Sequence, residues 1–529
     1  MTRPQPLRPA RTRRPRGTLV VALLILLVAS GGAGALPAGP LPAGPLSAPS
    51  LRLVWWTDVG FPTPFAASTL GPGGVVRLSL LYDTLVWKDH TGVIPWLAES
   101  WRISGDGRRW TFTLRPDAVW HDGRPLTARD VHFAFEYYRT HPFAWVDTSV
   151  VAEVVTDGPR TVTFVLREPF APFLEDIAGI VPIIPAHVWE GIGEPRKAQG
   201  LGMATGSGPY RLTEYRPGTG EYRFEANRRY FRGRPKFEEI QYTVIPAERQ
   251  LLAIQSGQSD VAMADTHDVV RAFSGHPYLR VWQSEPLSVA RLLFNLERPP
   301  FDQRAARQAV AYGINRTQLA TLVTRGPGVP GSPGVVPPTD RWHNPRVRAY
   351  PYDPSRARSL VAQAGLTSLA FELLASPSPV VPVVQEMLRR AGMDVAVRTV
   401  DARTRAALVA EGKYQAALTF HIGAGGDPDY LRRWLGGGEA NLFGQSAEFA
   451  HPEFQRLAAG QARTLDQAAR RASVHRMQEI LADELPTLAL YYRRFYWVYD
   501  SRKFVPVATA GGLMNGIPLV ENKLAFLGR

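Results

Sequence analysis

The side chains that could do chemistry in this 529-residue chain do not form a known catalytic motif. The nucleophile pattern G-x-S-x-G is absent, because Ser207 has Gly206 directly before it and the pair Gly257 and Ser259 lacks the second glycine. The zinc-protease pattern H-E-x-x-H and the phosphate-binding pattern G-x-x-x-x-G-K-(S/T) are also absent. The sequence therefore predicts a protein that is not an enzyme.

Metal and cofactor chemistry has equally little support in the sequence. Cysteine is absent, which excludes disulfides, thiolate metal sites, cysteine nucleophiles and a lipid anchor on an N-terminal cysteine. Asp265, His267 and Asp268 lie close together, but such a cluster on a surface loop is usually solvated rather than metal-binding. We expect no cofactor and no metal site.

The formal net charge of +14 invites a nucleic-acid interpretation. Arginine supplies most of the 61 basic residues and is spread over the whole chain. Basic clusters interleaved with aromatic residues, which single-strand binders need, do not occur. A composition of 45% hydrophobic and 20% charged residues is typical of a folded globular protein. We therefore expect no nucleic-acid partner.

Residues 81–136 contain patterns that predict a strand and a helix, the kinds of element that would position a binding site. Trp110, Phe112 and Leu114 alternate with polar residues, which predicts a strand with one buried face. Thr127 stands three residues before Asp130, a variant of the capping box that begins a helix. Strands and helices of this kind follow along the chain and predict an α/β protein.

The same stretch carries five motifs in a fixed order, Y-x-x-L-V, L-A-E-S-W, D-G-x-x-W-T-F-x-L-R, V-W-H-D-G and T-A-x-D-V-x-F-A-x-E, at residues 82–86, 97–101, 106–115, 119–123 and 127–136. A second block at residues 294–316 contains F-N, P-P-F-D and R-Q-A. Together they resemble the dipeptide/oligopeptide/nickel class of solute-binding proteins that serve ABC importers, extracellular solute-binding protein family 5. The resemblance runs from about residue 81 to about residue 499.

The resemblance implies a two-lobed periplasmic-binding-protein-like fold with an extra subdomain and two interlobe crossings. The first lobe is expected at residues 51–286 plus 500–529, with 81–203 as the appended subdomain. The second lobe is expected at residues 287–499. Ligand is expected to bind between the lobes and to be enclosed by hinge closure.

Several candidate ligand-binding residues follow from the resemblance. Asp58 and Phe61 come after the first strand, which opens into the ligand cleft in the family. Ser207 lies in a Gly-x-Gly turn that approaches the same cleft. An ordinary surface loop and a tight structural turn are the alternative interpretations of these two segments.

The segment at residues 420–430 supplies the remaining candidates: His421, Gly423, Ala424, Gly425, Asp427 and Asp429. Peptide-binding relatives tend to carry G-W-x-(A/G)-D-x-x-D-P here, and their first aspartate grips the peptide α-ammonium. Aligned without gaps on Asp427 and Pro428, this chain has His421 at the tryptophan and Ala424 at that aspartate. We therefore expect poor binding of free-amine peptides, unless Asp427 or Asp429 substitutes. Asp427 could instead cap a turn.

The N-terminus resembles an export signal. Residues 1–35 combine a basic region, an apolar core at 19–29 and an A-x-A cleavage pattern at 33–35. Retention of the segment as an uncleaved anchor is the alternative. Residues 36–50 are rich in Pro, Ala and Gly and predict a tether. The mature protein is expected in the periplasm or at the outer face of the cytoplasmic membrane.

The resemblance implies the extracytoplasmic solute-binding component of an ABC importer. Such a protein captures a peptide or another small solute and delivers it to a membrane permease, and we expect it to act as a monomer. A non-peptide solute such as an oligosaccharide is one alternative. A secreted hydrolase or a receptor that uses the same fold is an alternative of another class.

Overall fold

The computed structural model describes residues 49–66, 72–143, 146–436, 449–513, 516–517 and 519–528. The export signal predicted at residues 1–35 and nearly all of the tether predicted at 36–50 lie outside the described residues. None of the helices in the described ranges has the length and apolar character needed to cross a membrane.

The strands are short and are distributed along the whole described chain. In order they are β1 (Ser50–Trp55), β2 (Val86–Asp89), β3 (Gly92–Pro95), β4 (Ala98–Ile103), β5 (Arg109–Leu114), β6 (Val151–Asp157), β7 (Thr161–Leu166), β8 (Tyr210–Arg216), β9 (Glu221–Ala226), β10 (Glu239–Val244), β11 (Val261–Ala264), β12 (Leu279–Gln283), β13 (Ser288–Phe294), β14 (Val329–Pro330), β15 (Leu369–Ala375), β16 (Met393–Thr399), β17 (Ala416–Ile422), β18 (Thr487–Arg493) and β19 (Tyr496–Asp500).

The helices alternate with these strands. In order they are α1 (Pro72–Leu81), α2 (Ala128–Thr140), α3 (Ala186–Trp189), α4 (Ala247–Gln255), α5 (Asp268–Ala272), α6 (Arg304–Gly313), α7 (Arg316–Thr324), α8 (Pro354–Gln363), α9 (Val380–Arg390), α10 (Ala402–Ala410), α11 (Tyr430–Leu435), α12 (Pro452–Arg463) and α13 (Gln467–Glu484).

The first lobe is built on a seven-stranded sheet with the order β12-β19-β11-β1-β10-β9-β8. Strand β1 lies in its interior, parallel to β10 on one side and β11 on the other. Leu51, Leu53 and Trp55 of this strand are buried in the main apolar core of the lobe. The apolar run that begins at Leu51 thus forms a core strand.

The second lobe is built on a six-stranded sheet with the order β14-β18-β13-β17-β15-β16. All seven residues of β13 are buried. Leu292 packs in one apolar cluster and Val289 in another, so residues three apart on one strand face different layers. Both faces of this sheet are therefore covered, as expected for an α/β lobe.

The residues predicted to form the appended subdomain contain a four-stranded antiparallel sheet with the order β4-β5-β7-β6. Strand β5 shows the predicted alternation, with Trp110, Phe112 and Leu114 buried. The predicted capping box is present at the start of α2, where the Asp130 carboxylate accepts a hydrogen bond from the Thr127 backbone N–H at 2.9 Å. This sheet and the first-lobe sheet share one apolar core.

Within the described ranges, the chain crosses between the two large sheets twice. The first crossing lies between β12 and β13, and the second lies between β18 and β19, at residues 493–496. The second lobe was expected to extend to residue 499, and this boundary is too late. Strand β19 pairs with β11 and β12, so its backbone hydrogen bonds place it in the first-lobe sheet.

Candidate functional site

A cavity of about 340 Å³ lies between the two lobes, next to the second crossing. Its lining combines residues of the first-lobe sheet, residues of the second-lobe sheet and the C-terminal tail. They are Trp55, Trp56, Ala247, Met263, Ser288, Phe420, Ile422, Arg493, Phe495, Trp497, Ile517 and Leu519. The volume lies in the lower part of the range of small-molecule sites.

Strand ends position most of these side chains. Trp55 and Trp56 stand at the carboxyl end of β1, Ile422 ends β17, and Arg493 ends β18. Trp497 follows within β19, directly after the crossing. Ends of strands from two sheets therefore converge where the lobes are joined, and a relative rotation of the lobes would change the cavity.

The walls of the cavity are mainly aromatic. The rings of Trp55 and Trp56 are stacked with their centroids 4.1 Å apart. Phe495 and Trp497 are 6.0 Å apart at an angle of 61°. Aromatic faces of this kind bind apolar groups and planar rings, and each offers a large contact area with little conformational freedom to lose.

Arg493 is the charged residue among the described residues of the cavity wall. Other described residues neutralise its positive charge and satisfy its hydrogen-bond donors only in part. Its Nη2 lies 3.7 Å from Oδ2 of Asp265, a side chain that is 61% exposed. Its Nε is buried and has no hydrogen-bond partner among the described residues. The guanidinium carbon lies 4.8 Å from the centroid of the Phe495 ring. The Nε–H group of Arg493 thus remains available to donate a hydrogen bond at the cavity wall.

His421 faces away from the cavity. Its neighbours Phe420 and Ile422 line the cavity, and alternation along β17 sends His421 to the opposite face of the sheet. There the imidazole is 4.0 Å from the ring of Trp434. Burial and the charge of Arg291 hold the pKa of His421 well below its usual value. The imidazole is therefore neutral and packed among core residues.

The glycine-rich segment after His421 packs against the first lobe and the core of the second. Ala424 is fully buried in the apolar cluster that contains Val289 and Trp434. The backbone N–H groups of Gly423 and Ala424 both donate to the Leu287 carbonyl, at 3.0 and 2.9 Å. A Cβ on Gly425 would meet the Leu287 side chain at 2.5 Å. This segment is structural in the described conformation.

Asp427 and Asp429 are committed to arginine pairs inside the protein. Arg470 donates to both Asp427 oxygens, at 2.7 and 2.5 Å. Arg432 donates to both Asp429 oxygens, at 2.7 and 2.6 Å, and Gln461 donates to Oδ1 at 2.7 Å. Burial acts to raise the pKa of Asp429, but the hydrogen bonds and charge of Arg432 outweigh it and lower the pKa. Both carboxylates therefore already have their counter-charges.

The candidates of the first lobe also have structural partners. Asp58 accepts hydrogen bonds from the hydroxyls of Tyr215 and Tyr222. Phe61 is buried and packs edge-on against the Tyr215 ring at 5.8 Å. Ser207 is fully buried and donates to the Asp83 carboxylate at 2.9 Å. None of the three belongs to the cavity wall.

The sequence analysis missed the residues that form the cavity. Trp55 and Trp56 were assigned to the first core strand, and Arg493 was one of many dispersed arginines. One signal was available: Trp56 directly follows the end of β1, where a large aromatic side chain can leave the core and contact a ligand. No local pattern marks Arg493.

Hydrogen bonds also join the two lobes elsewhere in the molecule. Glu175 of the first lobe accepts from Lys88 of the same lobe at 2.7 Å and from Arg341 of the second lobe at 3.3 Å. The Ala171 backbone N–H donates to the Ala462 carbonyl at 2.6 Å. The described conformation is therefore one in which the two lobes are in contact.

Comparison with known proteins agrees with this architecture. The sequence profile of the bacterial extracellular solute-binding proteins, family 5 Middle, matches residues 92–442. The chain is 26% identical over 435 residues to the dipeptide-binding protein of Escherichia coli strain K12, covering 76% of this chain and 81% of the relative. It is 26% identical over 484 residues to heme-binding protein A of Haemophilus influenzae, covering 83% and 84%.

A crystal structure supports the fold independently. NikA from Brucella suis in complex with Fe(III)-EDTA matches with a TM-score of 0.78 at 23% identity, covering 90% of this chain and 99% of NikA. The predicted two-lobed α/β fold is thereby confirmed. Since the family profile spans well over half of the chain, the protein belongs to family 5 of the bacterial extracellular solute-binding proteins and is the solute-binding component of an ABC importer.

Proposed function

We propose that this protein captures its solute in the 340 Å³ interlobe cavity and presents the closed complex to a membrane permease. The observation that carries the proposal is that both sheets and the tail contribute to one aromatic wall at a chain crossing. A solute there contacts both lobes at once, so its binding energy favours the closed form over the open one.

The hinge of this motion is proposed to be the two crossings, between β12 and β13 and between β18 and β19. The first lobe then comprises residues 51–286 with the C-terminal part of the chain from β19 onward, and residues 81–203 form its appended subdomain. The second lobe comprises the residues from β13 to β18. Crossings at element ends can absorb a change in backbone angles without breaking either sheet.

The proposed solute is a small peptide or a modified peptide without a free amine. The curated relative of Escherichia coli is named for dipeptide binding, which supports the peptide class. No aspartate or glutamate is among the described lining residues, so an ammonium group would meet no counter-charge there. A short oligosaccharide is the second candidate, since the stacked Trp55 and Trp56 rings offer a face to a sugar.

Binding is proposed to occur without turnover and by a monomer. The relatives are named as binding proteins, which supports the non-enzymatic assignment. Export to the periplasm or to the outer face of the cytoplasmic membrane is proposed from the signal at residues 1–35. Amino-terminal sequencing of the secreted protein should begin at Leu36, and a mature chain that still carries Arg16 would contradict cleavage.

The function is tested by identifying the solute that copurifies with the secreted protein. We expect mass spectrometry to find a small molecule, recovered unchanged after incubation, whose re-addition raises the melting temperature because it binds only the folded form. Trp56→Ala should weaken its binding about tenfold or more, since a stacked aromatic contact is lost. Tyr352→Ala, at an exposed position in the second lobe, is the control and should bind normally.

Two outcomes would overturn this assignment. A copurified solute whose affinity is the same in the Trp56→Ala variant and the unmodified protein would place its site outside this cavity. Conversion of the solute by the purified protein, abolished by one side-chain substitution, would assign the protein to the enzymes.

A further inference from the structure

We infer that the interlobe cavity is built for an apolar solute that carries one carboxylate, held by Arg493. The inference rests on the proposed function, because it takes this cavity as the solute site, and it names the class of solute. It is drawn from the charge, the hydrogen-bonding state and the orientation of one side chain.

The first observation is the charge of the cavity wall. Arg493 is the charged residue among the described lining residues, and the others are aromatic, aliphatic or small. An ionised group that leaves water for such a cavity loses hydration free energy and needs an opposite charge in return. One arginine compensates one negative charge. A solute with an ammonium group alone would be repelled.

The second observation is that a hydrogen-bond donor of Arg493 has no partner among the described residues. A buried donor without a partner costs free energy, and the Nε of Arg493 is such a donor among the described residues. The nearby Asp265 does not satisfy it, since the 3.7 Å separation from Nη2 is too long for a hydrogen bond and Asp265 is largely in water. A ligand carboxylate would supply the missing acceptor.

The third observation is the position of the Arg493 guanidinium group against an aromatic ring. The guanidinium carbon lies over the Phe495 ring, 4.8 Å from its centroid, a cation–π contact that holds the group at the cavity wall and leaves N–H groups for a ligand. A carboxylate matches this planar fork with two parallel hydrogen bonds. Ser288, paired with Arg493 across the sheet register, also lines the cavity and brings a hydroxyl close to the same wall.

The test uses three probes built on Leu-Phe that carry a negative charge, no charge and a positive charge: N-acetyl-Leu-Phe, its C-terminal amide, and Leu-Phe amide with a free amine in place of the acetylated one. They are titrated calorimetrically into the mature protein freed of copurified solute. We expect the acid to bind about tenfold to a hundredfold more tightly than its amide, because a hydrogen bond to a charged group contributes about 1.5–3 kcal/mol. The free-amine amide should bind most weakly.

Arg493→Gln supplies the decisive comparison. It should remove the preference for the acid while leaving the neutral amide nearly unchanged, because the aromatic wall is intact. Arg398→Gln is the matched control, since Arg398 is 46% exposed on β16 and lines none of the cavities described above. Thermal melts of both variants establish that each is folded.

Each contrary result has a distinct meaning. Equal affinity of the acid and the neutral amide overturns the inference and leaves the proposed function intact. Tightest binding of the free-amine amide also overturns it, and points to the neighbouring cavity lined by Glu285 and Asp340. If no probe binds, the inferred class is wrong, and the copurified solute still decides the function separately.

Discussion

At the scale of single residues, the burial of Ala424 changes what its aligned position implies about ligand binding. The ungapped alignment places it where peptide-binding relatives carry an ammonium-binding aspartate, so the alignment by itself predicts that Ala424→Asp restores binding of free-amine peptides. In the fold its side chain is fully buried in an apolar cluster of the second lobe, and an aspartate there would meet Val289 and Trp434 rather than a solute.

We therefore predict that Ala424→Asp destabilises the protein and improves no peptide binding. An unpaired carboxyl group in this cluster should lower the free energy of unfolding by about 3 kcal/mol or more. Urea denaturation measures the loss, with Ala424→Val as a control that adds volume without charge. A stable Ala424→Asp variant that binds an unblocked dipeptide would contradict the burial argument.

At the scale of elements, the contact between the C-terminal tail and the glycine-rich segment of the second lobe depends on the absence of side chains. A Cβ on Gly511 would lie 2.8 Å from the Cα of Gly426, and one on Gly516 would lie 2.5 Å from the Gly425 carbonyl oxygen. Backbone atoms cannot move aside as a flexible side chain can. Glycines on both lobes thus permit this close approach.

Gly511→Ala is accordingly predicted to hinder closure of the lobes. With saturating copurified solute, small-angle scattering should give a larger radius of gyration than the unmodified protein, and affinity should fall about tenfold or more. Gly365→Ala is the matched control: its φ of +73° is close to the +63° of Gly511, but its Cβ would meet nothing within 4 Å. If both variants closed normally, the contact would have no part in closure.

At the scale of the whole molecule, one buried carboxyl group links stability to pH. Glu521 is 3% exposed, and its Oε2 has no hydrogen-bond partner within the described part of the chain. Burial raises the pKa of Glu521 to about 7, although the charge of Arg77 acts in the opposite direction. Because the folded state raises this pKa, the neutral form fits the fold better than the carboxylate does.

The sign of the pH effect follows from that shift. Stability should be greatest below the unfolded-state pKa of a glutamic acid and should be lost as the pH rises through about 7. Relative to Glu521→Gln, the unmodified protein should lose about 3 kcal/mol between about pH 4 and pH 8. Urea titrations across this range measure the difference, with exposed Glu411→Gln as the control. A difference that is independent of pH would contradict the assignment.

Much of the fold could be predicted because its signals are local. The alternation at Trp110, Phe112 and Leu114 and the Thr127–Asp130 cap require only neighbours in the chain, and both are present as predicted. The ordered motifs then implied the family and its two lobes. The boundary at residue 499 was wrong because β18 ends at Arg493 and β19 already begins in the other sheet at Tyr496, and hydrophobic strands of either lobe look alike in sequence.

The cavity itself was decided by the tertiary structure. The sequence alone determined that the chain is an α/β solute-binding protein of family 5, because amphipathic periods and motif order are properties of the chain. It did not determine which side chains face the solute. On β17, Phe420 and Ile422 face the cavity while His421 between them faces away, so an error of one residue along the strand reverses the assignment. Arg493 lies beside Trp55 and Trp497 only because separate strands meet at a crossing. Contacts between residues hundreds of positions apart leave no local pattern, and only folding brings them together.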